Sequence, residues 1–253
     1  MERLPIRTKL AKVEYERILI RGRDLCDDLL GNITFADMAA LVLTGSLPTP
    51  NQRRMIDALL VVLVEHGMVS SAVSARITYG TAPESIQAAV AGSLLGAGSV
   101  HLGSSDICAR MLQEGLEKEP DMAKAAANIV AEHKAAHIRL PGIGHRTHGS
   151  GDPRGVRLLA LAHETEVYGT YSHLLEMVVD EAERQLGRRF PINVTGAIGC
   201  IGLDLGLPWQ ITKTFALVGR TLGTMAHIRE EIEMPSNEAI NAAIRSALVY
   251  EGE

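Results

Sequence analysis

Beyond residue 32 the apolar side chains recur every three or four positions, the spacing of a helix face, and the breaks between runs carry helix-end signals. Thr34-Phe-Ala-Asp37 has the form of a capping box and opens a predicted helix over 35–43 that Gly45 stops. Thr49-Pro-Asn-Gln52 is a better start, with an N-cap Thr, Pro at the first helical position and Gln at the third. Its helix is expected to reach about residue 65 and to close at Gly67. Thr81-Ala-Pro-Glu84 reads as the next start, with Ala-rich turns running to 96–98. Further helices are expected over about 104–117, 121–137, 155–168, 170–187, 209–232 and 237–248. Gly/Pro-rich loops separate them at 98–103, 139–153 and 202–208. The first 31 residues are charged and irregular, and their one strand-like piece, 17–20, predicts a short ribbon or turn. The expectation is therefore an opening segment over 1–31 followed by an all-α region over 32–253 with eight or more helices.

Composition narrows this picture. A chain of 253 residues makes one large domain or two small ones, long enough to bury a sizeable core. Aromatics are only 4%, with one Trp and 3 Phe, so the core must be built from Ala, Leu, Ile, Val and Met, which favours helices over sandwiches. A net charge of -5 argues against a global pull on nucleic acid. The opening MERLPIRTKL has no apolar signal segment, and the apolar stretches at 58–64 and 88–100 fall short of a membrane span. Three scattered cysteines, Cys26, Cys108 and Cys200, without a CxxC, read as buried free thiols in a reducing compartment. A cytoplasmic protein that binds neither nucleic acid nor membrane is the expectation.

The loops carry the candidate chemistry. In Gly142-Ile-Gly144-His145-Arg146 two glycines permit a tight turn and a close ligand approach, and the His and Arg offer a proton-transfer group and an anion clamp. Asp152-Pro-Arg154 adds a second guanidinium. Gly98-Ser-Val-His101-Leu-Gly103 repeats the theme of a His between glycines, and His66-Gly67 ends a helix. For any one such His, a cap or turn role is the commoner outcome. His133 and His137, four apart on an expected helix, suggest either a metal pair or a solvated face; no HExxH or carboxylate ligand supports the metal, and no metal site is expected. Arg7, Lys9, Lys12, Arg17, Arg21 and Arg23 make the first segment basic, a solvated surface or a phosphate contact. Small residues over 88–95 and 123–131 suit a close-packed core helix or a subunit interface equally.

Taken in order, these segments resemble the citrate synthase superfamily, and among its members the citryl-CoA lyases and the lyase module of ATP-citrate lyase. The likeness runs from Ile20-Arg-Gly-Arg-Asp24 and Leu41-Val-Leu-Thr-Gly45 through the His66, His101 and His145 motifs. It continues through Phe190-Pro-Ile-Asn193-Val194 with Leu205-Gly-Leu-Pro208 to Phe215–Arg220 and Met225-Ala-His227. The resemblance implies a citrate-synthase-like multi-helical fold with a large helical core and a small helical subdomain at about 120–200. It also implies an obligate dimer and chemistry on a coenzyme A thioester (acetyl-CoA) and a dicarboxylate keto acid (oxaloacetate), with no permanently bound cofactor. Under it, His101 hydrogen-bonds the thioester carbonyl and steadies its enolate, and His145 binds the keto group or the tertiary hydroxyl of citryl-CoA. His66, Arg154 and Arg220 hold the dicarboxylate, and Arg245 matches an arginine lent across the dimer. Leu140, Pro141, Gly142, Ile143 and Gly144 lie along coenzyme A, with Arg146 toward its phosphates. These residue types suit such chemistry, since an enolate needs a carbonyl donor in a dry site and a dianion needs arginine forks.

One position departs from the pattern. Registering Asn193-Val194 with Leu205–Pro208 puts Thr195 where the family carries its aspartate base. A hydroxyl has no suitable pKa for abstracting a carbon-bound proton, and microscopic reversibility makes the group as necessary for cleavage as for condensation. Three readings stay open. Another carboxylate, or a water held by Thr195, takes over in a citryl-CoA-lyase-like enzyme. The chain acts on a different acyl-CoA or hydrolyses a thioester. Or it is a non-catalytic subunit that binds a coenzyme A thioester or serves as a scaffold.

Overall fold

A computed structural model describes residues 5–98, 100, 102, 104–144 and 151–252. The chain opens with a three-stranded antiparallel ribbon, β1 (Ala11–Val13), β2 (Ile18–Ile20) and β3 (Arg23–Asp24), in which Ala11 faces Ile20 and Leu19 faces Asp24. Its basic residues are largely used locally: Lys12 and Arg17 pair with Glu14, and Arg21 Nη2 donates to the Val42 carbonyl at 2.8 Å. A π-helical turn, Leu25–Leu29, leads into the helical region.

Among the described residues eleven α-helices follow: α1 (Phe35–Thr44), α2 (Pro50–Val61), α3 (Ser70–Thr81), α4 (Ile86–Leu95), α5 (Ser105–Lys118), α6 (Met122–Ala135), α7 (Pro153–Glu164), α8 (Thr170–Leu186), α9 (Val194–Asp204), α10 (Thr214–Glu233) and α11 (Asn237–Ala247). The all-α expectation holds. Both capping boxes form: Thr34 Oγ1 accepts from Asp37 N while Asp37 Oδ2 accepts from Thr34 N, and Thr49 and Gln52 do the same. Gly45, at φ +92, terminates α1 in the left-handed region open to glycine.

Four expectations need correction. α2 ends at Val61, a turn short of residue 65. Thr81 closes α3 rather than opening a helix, its hydroxyl donating back to the Ile77 and Thr78 carbonyls. The stretch 209–232 is broken into a 3₁₀ turn, Trp209–Ile211, and α10. Cys26 is exposed, whereas Cys108 and Cys200 are buried as expected.

Two helices that the periodicity did not reveal, α3 and α9, are the ones that position the site. α9 lies at the centre, packed by α5, α7 and α8, with nearly every residue buried. A helix apolar all round gives no amphipathic signal. The Leu, Ile, Val and Ala of the main core gather around it, from Ala36 to Ala216, with Phe215 the largest fully buried side chain. A second small cluster, Ala75, Ala89 and Ile228, joins α3, α4 and α10. α10 approaches the end of α2 through Gly219 and Gly223, where a Cβ would run into the Leu60 and Val64 carbonyl oxygens. Arg220 stands between these two glycines, so this close approach sets its guanidinium beside the residues that follow α2. No described helix is long and apolar enough to cross a membrane.

Candidate active site

Three helix N-termini converge on one cavity of about 340 Å³. α3 brings Ser70 and Ser71, α7 brings Arg154 in its first turn, and α9 brings Thr195. His66, Gly96, Ala97, Val100, Leu102, Ser104, Gly144 and Arg220 complete the wall. The sequence-predicted residues His66, Arg154, Thr195, Arg220 and Gly144 are therefore brought together. Each helix start carries about half a positive charge, and at α7 and α9 the first N–H groups are already taken up by Asp152 and Asn193. Among the described residues no Asp or Glu lines the cavity. The described wall holds guanidiniums, an imidazole, hydroxyls and helix starts, a set suited to an anion.

Arg220 is the strongest element of that set. Its residue is only 3% exposed, and its Nε and Nη1 atoms are buried without a hydrogen-bond partner among the described residues. Burial pulls its pKa below the usual arginine value; Glu65 opposes this and Arg154 adds to it. Arg154 is held from behind. Its Nε and Nη2 donate to the two oxygens of Asp152 at 3.0 Å each. Asp152 is fully buried, caps α7, and also accepts the Val194 N–H at 2.9 Å, so one carboxylate ties the starts of α7 and α9 together. Burial works to raise the Asp152 pKa, but the Arg154 bonds and the Val194 N–H outweigh it and hold the carboxyl below its ordinary range.

The turn that carries His66 is fixed by residues that sequence reasoning had not assigned a role. Glu65 Oε1 accepts the N–H groups of His66 and Gly67 at 2.7 and 2.6 Å. His227 Nε2 faces Glu65 Oε2 at 3.0 Å, and His227 Nδ1 accepts from Arg76 Nε at 3.1 Å. Arg76, buried in α3, also pairs with Glu230 and Glu231, and Glu231 accepts the Ser236 and Asn237 N–H groups at the root of α11. A His→Leu change at 227 should unseat Glu65 and raise the dissociation constant of a dicarboxylate about 5–10-fold, the worth of one hydrogen bond of ~1–1.5 kcal/mol. His227→Gln should lose less, since its amide can accept from Arg76 and donate to Glu65. Calorimetric titration of both variants measures the difference.

Thr195, at the second position of α9, is bonded on both sides. Its Oγ1 lies 2.7 Å from Asn193 Oδ1 and 2.7 Å from Ser104 Oγ. Asn193 caps α9, and its Nδ2 donates to the Gly144 carbonyl at 2.8 Å. The glycine loop is zipped to the same strand-like segment by Gly144 N to Pro191 O and Asn193 N to Gly142 O. Gly142 is buried behind this loop, its φ at +79, with Cys108 Sγ 2.5 Å and Gly196 Cα 2.7 Å from where a Cβ would be. Its missing side chain admits neighbouring protein, and the space for a ligand lies at Gly144.

A second cavity, of about 590 Å³, begins at Gly144 and runs past Leu140, Ile143 and Phe190. His133, Lys134, His137, Arg139 and Arg188 line it, again without an acid among the described residues. Arg188 stacks 4.4 Å over the Phe190 ring. His133 and His137 are not a helical pair: α6 ends at Ala135, and His137, at φ +55, lies past its C-cap. Pro141 is half-buried in the turn beneath the cavity. No signal in the sequence grouped these basic residues, because they come from the end of α6, the following loop and the segment after α8. Ser104 likewise had no signal beyond its place before a helix. His101, His145 and Arg146 lie outside the described residues. Arg245 is exposed on α11, away from both cavities of its own chain.

Among the described residues, helix starts and guanidiniums thus enclose a cavity without an acid, beside a trough lined by basic side chains, an arrangement suited to two anionic groups side by side. Residues 49–246 match the family model for the C-terminal domain of citrate synthase. The chain belongs to the citrate synthase family. It is 33% identical to the solved citryl-CoA lyase of Hydrogenobacter thermophilus, covering 98% of this chain and 95% of that one with a TM-score of 0.89. A citrate synthase from Synechocystis is 28% identical over 232 residues. An ATP citrate lyase structure from Methanothrix soehngenii, in complex with citrate and coenzyme A, shares the fold at 21% identity and a TM-score of 0.79, covering 100% of this chain and 43% of that one. The chain spans about half the length of the curated relatives it matches: 87% of this chain covers 54% of the Synechocystis protein.

Proposed function

We propose that the protein makes or breaks the carbon–carbon bond between a coenzyme A thioester and a dicarboxylate keto acid, as a citryl-CoA lyase does. The observation that carries this reading is the buried, unpartnered Arg220 guanidinium beside Arg154 and His66 in an acid-free cavity. A dianion such as oxaloacetate would balance the charge of both guanidiniums and sit in the positive field of the helix starts. The adjoining trough supports the thioester side: an apolar floor for the pantetheine arm and five basic side chains for the phosphates, meeting the first cavity at Gly144. The acyl carbon would then lie near Thr195 and Ser104, with His101 and His145 as the imidazoles for the carbonyl and the hydroxyl. The family-wide resemblance, together with near end-to-end similarity to a citryl-CoA lyase, supports the lyase side of the reaction.

Finer parts of the reading follow. The thioester is a substrate, and no resident cofactor is needed. The protein works in the cytoplasm as a homodimer, and Arg245, exposed on α11, serves the partner's cavity. Residues at about 120–200 form the small helical subdomain. Purified protein incubated with citryl-CoA should yield acetyl-CoA and oxaloacetate in equal amounts, read by coupled reduction of the keto acid. Free thiol with citrate would instead mark a thioester hydrolase. Tight coenzyme A binding with no turnover of citryl-CoA, or of acetyl-CoA with oxaloacetate, would mark a non-catalytic subunit.

A further inference from the structure

The hydrogen-bond directions around Thr195 are forced. Asn193 Oδ1 accepts from the Thr195 and Gly196 backbone N–H groups at 3.0 and 3.1 Å, so it is the carbonyl oxygen of the amide and has no hydrogen to give. Thr195 Oγ1, 2.7 Å from that oxygen, must donate to it. Its only proton is thereby used, so the 2.7 Å contact with Ser104 is a bond donated by Ser104 Oγ. Ser104 has then also spent its proton. Both hydroxyls line the cavity. What they present to a ligand is lone pairs alone, at the place where a family relative would present a carboxylate.

Such a pair accepts hydrogen bonds and donates none. Neither hydroxyl can protonate an enolate, and neither is a base for a carbon acid. Among the described residues no carboxylate lines the cavity to do so instead. The nearby acids, Asp152 and Glu65, are bound to Arg154 and Val194, and to His66, Gly67 and His227. We propose that Ser104 and Thr195 hold a water by one of its hydrogens, and that this water is the proton carrier at the acyl α-carbon. The assignment rests on the carbon–carbon lyase reading above.

The proton of the substrate's tertiary hydroxyl passes to an imidazole as the carbon–carbon bond breaks, and the bonding pair becomes the thioester enolate. The enolate carbon takes the free hydrogen of the held water. A thioester α-carbon is a weaker acid than water, whose pKa is about 15.7, so this transfer runs downhill. The hydroxide left behind lies among Arg154, Arg220 and three helix starts, and it is returned to water by the imidazolium's proton. The reverse sequence serves condensation. Ser104 and Thr195 are thus positioning residues, acting through the water.

The test is steady-state cleavage of citryl-CoA across pH by the full chain and four variants. Ser104→Ala and Thr195→Val should each lower kcat about 10²-fold with little change in KM, the usual size of a proton-transfer contribution. Thr195→Ser should keep most of the wild-type kcat, because it keeps the hydroxyl. Wild-type kcat should show no inflection in the carboxylate range, and Thr195→Asp should introduce one. Titration with oxaloacetate and with coenzyme A checks that each variant is folded. Ser104→Ala turning over like wild type, or a carboxylate inflection already present in the wild-type profile, overturns this assignment and leaves the lyase reading standing. No cleavage by the wild type overturns the lyase reading and the assignment together. Should Thr195→Val not fold, the wild-type pH profile and the Thr195→Ser comparison decide alone.

Discussion

Arg220→Met should make the ligand-free protein harder to melt and nearly unable to bind its dicarboxylate. The two effects share one cause. Among the described residues Nε and Nη1 of the buried guanidinium have no hydrogen-bond partner, and burying a charge with incomplete pairing costs stability. Methionine fills the same space with an apolar chain and removes that cost. A gain of ~1–2 kcal/mol corresponds to about 2–8 °C in melting temperature for a chain of this size. Binding goes the other way, since a dianion left facing Arg154 alone forfeits a charge-assisted fork. Truncating one partner of a buried charge pair costs about 2–5 kcal/mol, so the dissociation constant should rise by roughly 30-fold to a few thousand-fold. Arg220→Lys should fall between, keeping the charge but losing the planar fork. Thermal scans and calorimetry on the three proteins measure both quantities. A lower melting temperature with unchanged affinity would make Arg220 a structural residue and remove the main support for the proposed function.

Gly142→Ala should be the most damaging of the small substitutions. The position has φ +79, where a Cβ costs about 1–2 kcal/mol. The methyl would also meet Cys108 Sγ at 2.5 Å and Gly196 Cα at 2.7 Å, both in the packed centre around α5 and α9. Overpacking of this kind adds about 1–3 kcal/mol. The sum, about 2–5 kcal/mol, should lower the melting temperature by roughly 5–15 °C. Because the loop is zipped to Pro191 and Asn193, the start of α9 should shift with it, and both ligands should bind less well. Gly144→Ala is the control. Its φ is +81, but among the described residues the nearest atom to a new Cβ is Phe190 Cδ1 at 3.9 Å, so the backbone penalty dominates. Equal losses in the two variants would mean that backbone strain, and not packing behind the loop, is what matters at Gly142.

How far the sequence could be read depended on whether a signal was local. Thr34 with Asp37 and Thr49 with Gln52 announce helix starts through residues three apart, and both boxes form. α9 announces nothing, because Val194-Thr-Gly-Ala-Ile-Gly-Cys-Ile-Gly-Leu has no polar face: the helix is surrounded by others. α3, rich in Ser and Ala, is similarly silent. Without those two helices, spacing could not say that His66, Arg154, Thr195 and Arg220 meet. The family resemblance could, and the cavity gathers all four. It included His227 without a role and did not supply Ser104 or Glu65, whose partners Thr195 and His227 lie far along the chain. Nor could it supply the basic trough, assembled from two segments about fifty residues apart.

The meeting of three helix starts over a wall without acids has one more consequence. Such a cavity attracts small anions from the surrounding solution through its partial charges and its buried guanidinium. Under the proposed function, a keto acid competes with those anions for the same groups. The affinity that matters is a difference between two competitors, and it shifts with the salts in which the protein finds itself.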